Sequence, residues 1–206
     1  MLLLVILSVI LNPPIVRVRY GGGDWYNDPD IIPNLAKEIN KRTEVKIEEQ
    51  EKILILSDPE IFSYPFLFIT GHGRIQLSKE EQEELRKYLW NGGFVYADDD
   101  YGMDKYFRGE INEVFPEYRL VRLPKNHEIY HILYEFPEGL PKIHEHYKGP
   151  PLGYGLYLNG RLSLFYTYNT NISDGWASPS VHNDPEDIRE KAFRMGINIY
   201  LYALTH

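Results

Sequence analysis

Three consecutive carboxylates, Asp98-Asp99-Asp100, directly follow the apolar run Phe94-Val95-Tyr96-Ala97. Adjacent carboxylates repel, so a site that gathers them needs a cation, a basic partner or a raised pKa. Oxygen ligands of this kind suit a hard divalent cation such as Mg²⁺ or Ca²⁺. The same groups serve general acid–base chemistry. The plainer reading is a solvated loop in which one Asp caps the next element. Successive side chains diverge, so at most two of the three are expected to converge. No cofactor is identified by the sequence itself; a divalent cation is what these carboxylates would suit.

Two further polar groups follow apolar runs in the same way. His72 stands between Gly71 and Gly73 after residues 66–70, and Asp24 follows Tyr20-Gly21-Gly22-Gly23. Glycines let the backbone approach a ligand and expose amides to anions, so His72 and Gly73 read as a ligand-contacting imidazole or an amide nest. A tight turn with an exposed histidine is the alternative. Asp174-Gly175-Trp176 lies in a long polar loop. It reads either as a rim that stacks on a sugar or peptide, or as a tryptophan that anchors the loop on the core. Two histidine pairs remain. His127 and His131 share a face only on a helix, and residues 129–136 look more like a strand. His144 and His146 would share one strand face, a geometry fit for zinc, but no third ligand is identified.

Strand and helix patterns place these groups. Residues 15–20 alternate as a half-covered strand does. Asp28-Pro29-Asp30 starts a helix whose apolar face is Ile31, Ile32, Leu35, Ala36 and Ile39. Val45 and Ile47 mark a second strand, residues 53–56 a further apolar run, and residues 66–70 a fully buried strand. Ser78 and Glu81 form a capping box ahead of a helix with Leu85, Tyr88 and Leu89 on its buried stripe, and Asn91-Gly92-Gly93 stops it. Residues 94–97 form the next strand. Apolar stretches at 118–123 and 129–136 follow. Leu158-Asn159-Gly160-Arg161 is a β-hairpin signature in the C-terminal half. Asp184-Pro185 opens a last helix with the stripe Ile188, Ala192, Met195, Ile199 and Tyr202. Alternating strands and helices to about residue 100 predict an α/β fold, a three-layer sandwich with a mostly parallel central sheet. In such a sheet ligands bind beyond the carboxyl ends of the strands, where Asp24, His72 and Asp98 to Asp100 would meet.

Composition narrows the classes. The chain has 206 residues and a net charge of −8, with its basic residues scattered, which argues against a nucleic-acid surface. There is no cysteine, which excludes a disulfide framework, a thiolate nucleophile and cysteine–zinc sites. Residues 1–11 are continuously apolar, too short to span a bilayer but as long as the core of a signal peptide. Residues 1–14 are therefore expected to be a signal segment or tail, residues 15–206 one domain, and no later segment transmembrane. Export or a periplasmic location is the expectation, with the cytoplasm as the alternative.

Several blocks together resemble one family. They are Tyr20-Gly21-Gly22-Gly23-Asp24-Trp25-Tyr26, Tyr64-Pro65-Phe66 through Thr70-Gly71-His72-Gly73, Leu85 to Leu89 with Gly92-Gly93-Phe94 and Asp98-Asp99, and the closing Ala192-Phe193-Arg194-Met195-Gly196-Ile197-Asn198 with Tyr202 to His206. From about Ile15 onward the chain resembles the bacterial domain of unknown function 4159. The resemblance implies a class I glutamine amidotransferase-like fold of flavodoxin type, often in exported or membrane-associated proteins, and no established activity. Amidotransferases of this fold carry a cysteine on a sharp turn after a central strand; the matching turn here is expected at residues 97–100, where aspartates stand.

The expected function is a ligand- or partner-binding domain of the cell envelope without amidotransferase activity, taking a small polar ligand or an envelope protein. Its ligand residues would be Asp24, His72, Gly73, Asp98, Asp99, Asp100, Asp174 and Trp176. The alternatives are a metal-assisted hydrolase of sugars or related polar substrates, and a structural interaction module.

Overall fold

Residues 66–69 are apolar on both faces, and a strand of that kind must be covered on both sides. In the computed structural model, which describes residues 11–206, this run is the third strand of a seven-stranded sheet. The strands in chain order are β1 (Leu11–Asn12), β2 (Val16–Val18), β3 (Gly21–Gly22), β4 (Lys46–Ile47), β5 (Lys52–Leu54), β6 (Phe66–His72) and β7 (Ile75–Gln76). They continue with β8 (Phe94–Tyr101), β9 (Val121–Arg122), β10 (Leu152–Leu158) and β11 (Arg161–Tyr168). The helices are α1 (Ile31–Arg42), α2 (Lys79–Trp90), α3 (Asp104–Val114), α4 (Pro179–His182) and α5 (Glu186–Thr205).

The main sheet has the order β5-β2-β6-β8-β11-β10-β9. Its first five strands are parallel, and β10 and β9 are antiparallel additions at one edge. Phe66, Phe68, Phe94, Tyr96 and Phe165 point to one face and pack under α1 and α5. Leu67, Ile69, Val95, Ala97 and Leu164 point to the other, under α2 and α3. The result is an α/β sandwich of helices, sheet and helices. On the first face the rings form a ladder across the strands, with centroids 6.0 Å apart for Phe66–Phe94, 5.5 Å for Phe68–Tyr96 and 5.9 Å for Tyr96–Phe165. None of the helices among the described residues is long and apolar enough to cross a membrane.

Local sequence accounts for most of these elements. All five apolar residues predicted for the face of α1 are buried. Ser78 and Glu81 close a reciprocal capping box on α2, and Gly92 ends that helix at φ 98°. Asn159 and Gly160, at φ 52° and 80°, link β10 to β11, because a tight two-residue connection that follows sheet twist needs positive φ at both positions.

The strands expected at Val45 to Ile47 and around Ile53 are both present: Lys46–Ile47 pairs with Leu11–Asn12 in a separate sheet, and Lys52–Leu54 joins the main sheet. Two expectations are corrected. Residues 129–136 form no strand. Asn198 of α5, fully buried, accepts from the Leu133 and Tyr134 amides at 3.0 and 2.9 Å and donates to the Tyr134 carbonyl at 2.7 Å, which satisfies that backbone without a ladder. The strand beginning at Phe94 does not stop at Ala97 but runs to Tyr101. The expected signal segment lies almost wholly outside the described residues.

One buried charge ties the loop after β2 to the sheet. Arg17 in β2 is 1% exposed, and its Nε donates to Glu51 Oε2 at 2.8 Å. Its terminal nitrogens donate to the carbonyls of Trp25 (3.1 Å), Asn27 (2.8 Å) and Asp28 (3.1 Å). Arg17→Met would strand those acceptors and the Glu51 charge, so urea unfolding should show a loss of about 3 kcal/mol.

Candidate functional site

Parallel strands present their carboxyl ends on one edge. After β2, the chain places β5 on one side and then crosses to add β6 on the other. Such a reversal opens a crevice at the strand ends. Asp24 follows β2 at this point and His72 ends β6. The Asp24 carboxylate takes the His72 backbone N–H on Oδ1 at 2.5 Å and faces His72 Nδ1 with Oδ2 at 2.9 Å. His72 Nε2 lies 3.1 Å from Asp100 Oδ2, so one imidazole joins a carboxylate from the β2 loop to one from β8. Asn27 Nδ2 donates to the same Asp100 oxygen at 2.6 Å. Gly71 permits this approach: a Cβ there would lie 2.3 Å from the Tyr20 hydroxyl and 3.0 Å from Asp24 Oδ1, and its φ is 139°.

Gly73 does not form the expected amide nest. Its N–H donates to the Tyr101 carbonyl at 2.9 Å, and the His72 N–H is held by Asp24. A carboxylate occupies the place where an anion would have to bind.

Because β8 continues through the three aspartates, their side chains point in different directions. Asp98 is completely buried beneath the loop that follows β11; its Oδ1 pairs with the Thr167 hydroxyl at 2.5 Å and its Oδ2 accepts from the Ser173 N–H at 2.7 Å. Burial pushes its pKa up to about 7 against those hydrogen bonds. Asp99 faces the opposite side, accepts from the Met103 N–H at 2.8 Å at the start of α3, and leaves its second oxygen buried without a partner. Burial raises it to about 6. The structure thus removes Asp99 from the crevice, since it belongs to the other face of the sheet. Asp100 returns to the first side at a bulge where His72 pairs with Tyr101 rather than with its direct successor in register. Burial, with Asp174 and Asp98 nearby, raises Asp100 to about 9.

Asp174 joins the cluster from the loop after β11. The Asn171 amide donates to Asp100 Oδ1 at 2.7 Å and to Asp174 Oδ2 at 3.1 Å, bridging the two carboxyls. His144 Nδ1 lies 2.9 Å from Asp174 and Nε2 lies 2.5 Å from Asp184 Oδ1. Hydrogen bonds to these acids raise His144 to about 9 and hold Asp174 below the usual carboxylate range. His182 pairs with Asp28 at 2.8 Å, with its ring 5.2 Å from that of His144. His146 rests against Tyr101, ring centres 4.9 Å apart, and has no hydrogen bond among the described residues. Two groups, His144–Asp174–His182 and Asp100–His146–Asp174, bring potential ligand atoms within 4.8 Å of one another.

Trp176 is not a rim residue. It is 1% exposed, packs on Phe68 and Tyr96, and donates from Nε1 to the Ala192 carbonyl at 2.8 Å. It anchors the loop that carries Asp174. Sequence reasoning did not identify Asn27, Asn171, Asp28, Asp184 or His182 as members of the cluster; their available signal was position in the loops beyond β2 and β11. His144 and His146 do meet the site, from an irregular segment rather than a strand, with rings 6.2 Å apart. His127 and His131 serve local partners, Tyr157 at 2.9 Å and Glu135 at 2.6 Å. Above the cluster a crevice of about 500 Å³ is lined by Asp24, Tyr26, His72, Gly73, Tyr101 and Gly102.

The buried acids make stability depend on pH. Asp98 keeps its proton in the fold to about pH 7, but in the unfolded chain only to its ordinary value of 3.8. The folded form binds the extra proton between those values, so this contribution is greatest in acid and is lost as pH rises through about 7. Asp100 extends the same fall toward pH 9. In chelator-containing buffer the urea midpoint should therefore be lower at pH 8 than at pH 5. Asp98→Asn should flatten that profile.

No curated protein matches the chain. Residues 14–204 match the family model described as Domain of unknown function (DUF4159). A match over nearly the whole sequence makes the chain a member of the DUF4159 family.

Proposed function

We propose that the chain is a cell-envelope domain that binds a small polar ligand in the crevice at the carboxyl ends of β2, β6 and β8. The observation that carries this reading is His72: 41% of its side chain is exposed to the crevice while both ring nitrogens are held, by Asp24 and Asp100. A histidine fixed in this way presents a rigid ring, with its nitrogens committed to the two acids and its carbon atoms left to the ligand. Without a metal ion and with Asp100 protonated, an imidazole carrying its proton on Nδ1 satisfies both contacts, donating to Asp24 and accepting from Asp100; a bound cation would release that proton. Tyr26 and Tyr101, 63% and 46% exposed, flank it with flat rings. Polar groups between aromatic faces suit a sugar or a similar polyhydroxylated ligand. The apolar run at residues 1–11 supports the envelope assignment.

The parallel strands follow the order second, first, third, fourth, fifth, which supports a flavodoxin-type, class I glutamine amidotransferase-like fold. Amidotransferase chemistry by a thiolate is excluded, because the sequence has no cysteine. A second reading, a metal-assisted hydrolase of the same class of ligand, is favoured by the two groups of histidines and aspartates beside the crevice.

Titration calorimetry against a panel of mono- and oligosaccharides tests the binding reading. For any ligand found, His72→Ala should weaken binding up to about tenfold, the size of one lost contact with an aromatic ring. The melting temperature should move by less than about 3 °C, a change below 1 kcal/mol for a chain of this size. Strong destabilisation by His72→Ala, with unchanged affinity in the folded fraction, would make the histidine a structural tie and overturn the reading.

A further inference from the structure

Asp98, Asp100 and Asp174 lie together with no lysine or arginine paired to any of them among the described residues. Their compensation comes from histidines and amides, and one histidine is left over. His146 projects from the irregular segment at residues 141–150, is exposed, and makes no hydrogen bond among the described residues, yet a ring nitrogen lies within 4.8 Å of carboxyl oxygens of both Asp100 and Asp174. Those two acids are 3% and 5% exposed. We propose that Asp100, Asp174 and His146 bind one divalent transition-metal ion, Zn²⁺ being the best fit, at the inner edge of the crevice. The inference deepens the second reading above by assigning that site its metal ligands.

The residue chemistry sets the class of ion. One imidazole with two carboxylates suits a borderline metal, whereas Mg²⁺ and Ca²⁺ take oxygen ligands. Nitrogen and oxygen ligands of one tetrahedral Zn²⁺, at about 2.0–2.2 Å from it, stand about 3.4 Å from each other. His146 is exposed and unbonded, so turning its side chain supplies the remaining approach. The surroundings match an outer shell, in which ligating groups are oriented by further hydrogen bonds. Asp100 is held by Asn27, Asn171 and His72, and Asp174 by Asn171 and His144 on Oδ2, while Asp174 Oδ1 accepts no hydrogen bond among the described residues. The overlapping group, His144–Asp174–His182, is less available. Both nitrogens of His144 are occupied by Asp174 and Asp184, and His182 Nε2 is occupied by Asp28. Tyr101 ties the proposed ion to the crevice, because its ring lies against His146 and also lines that cavity.

The test uses the full chain, free of any affinity tag, stripped by chelation and titrated calorimetrically with ZnCl₂ and separately with MgCl₂. Metal content after gel filtration gives the stoichiometry. The expected result is one Zn²⁺ per chain, bound more tightly than Mg²⁺. His146→Ala and Asp174→Asn should each weaken Zn²⁺ by more than about tenfold, at least the effect of losing an outer-shell partner. His182→Gln should leave affinity within about twofold, as a group outside the first two shells does. His146 is exposed and makes no hydrogen bond among the described residues, so its removal does not threaten the fold, and circular dichroism of that variant verifies this. Absence of stoichiometric Zn²⁺ overturns the proposal. So does unchanged binding in His146→Ala, or loss in His182→Gln with His146→Ala intact, which would put the ion in the other group. Sugar binding is read separately through His72→Ala: Zn²⁺ without a sugar ligand would sink the crevice reading alone, and a sugar ligand without Zn²⁺ would sink the metal site alone.

Discussion

Acidic side chains buried at the head of a central strand must be solvated by the protein itself, and the loops of this molecule are arranged around that need. Asp98 draws the Thr167 hydroxyl and the Ser173 amide, Asp99 the Met103 amide, and Asp100 the side chains of Asn27, Asn171 and His72. The donors come from several segments, so the three acids together fix the loop after β2, the start of α3 and the loop after β11. The last of these folds back sharply. Asn169 and Asn171 adopt φ of 59° and 54°, a conformation that asparagine tolerates better than most residues, and Trp176 then pins the loop to the core.

Local and periodic features were legible in the sequence. The buried face of α1, the capping box of α2 and the two-sided apolar β6 each depend on residues close in the chain, so pattern alone identifies them. The segment around Leu133 and Tyr134 was misread because its backbone is satisfied by Asn198, more than sixty residues away. No local pattern reports that. The end of β8 was misread for a related reason. Three aspartates are poor strand formers in isolation, yet β6 and β11 both pair with Asp98, β6 pairs on with Asp99 and Tyr101, and the ladder overrides the preference.

The site was legible to the extent that topology determined it. Asp24, His72 and Asp100 meet because each lies at or near the carboxyl end of a parallel strand. Alternation along β8 then separated Asp99 from them. The bridging amides of Asn27 and Asn171 carry no sequence signature, since an asparagine in a loop is ordinary until two acids lie on either side of it. The continuation of β8 also bears on chemistry. A nucleophile elbow needs a sharp turn immediately after its strand. Here the positive φ comes only at Gly102, beyond the acids, so residues 98–100 are held as extended strand under a covering loop.

The floor of the crevice is main chain resting on main chain. A Cβ on Gly22 would meet the Arg74 carbonyl at 2.3 Å, and one on Gly23 the carbonyl of His72 at 2.5 Å. Such a surface offers almost no room for mutational tuning, because any larger residue displaces backbone instead of reshaping a wall. Substitutions that reshape the recess are thereby confined to the side chains that stand over its floor, Tyr26 and Tyr101, which are exposed and can be exchanged while the main chain stays in place.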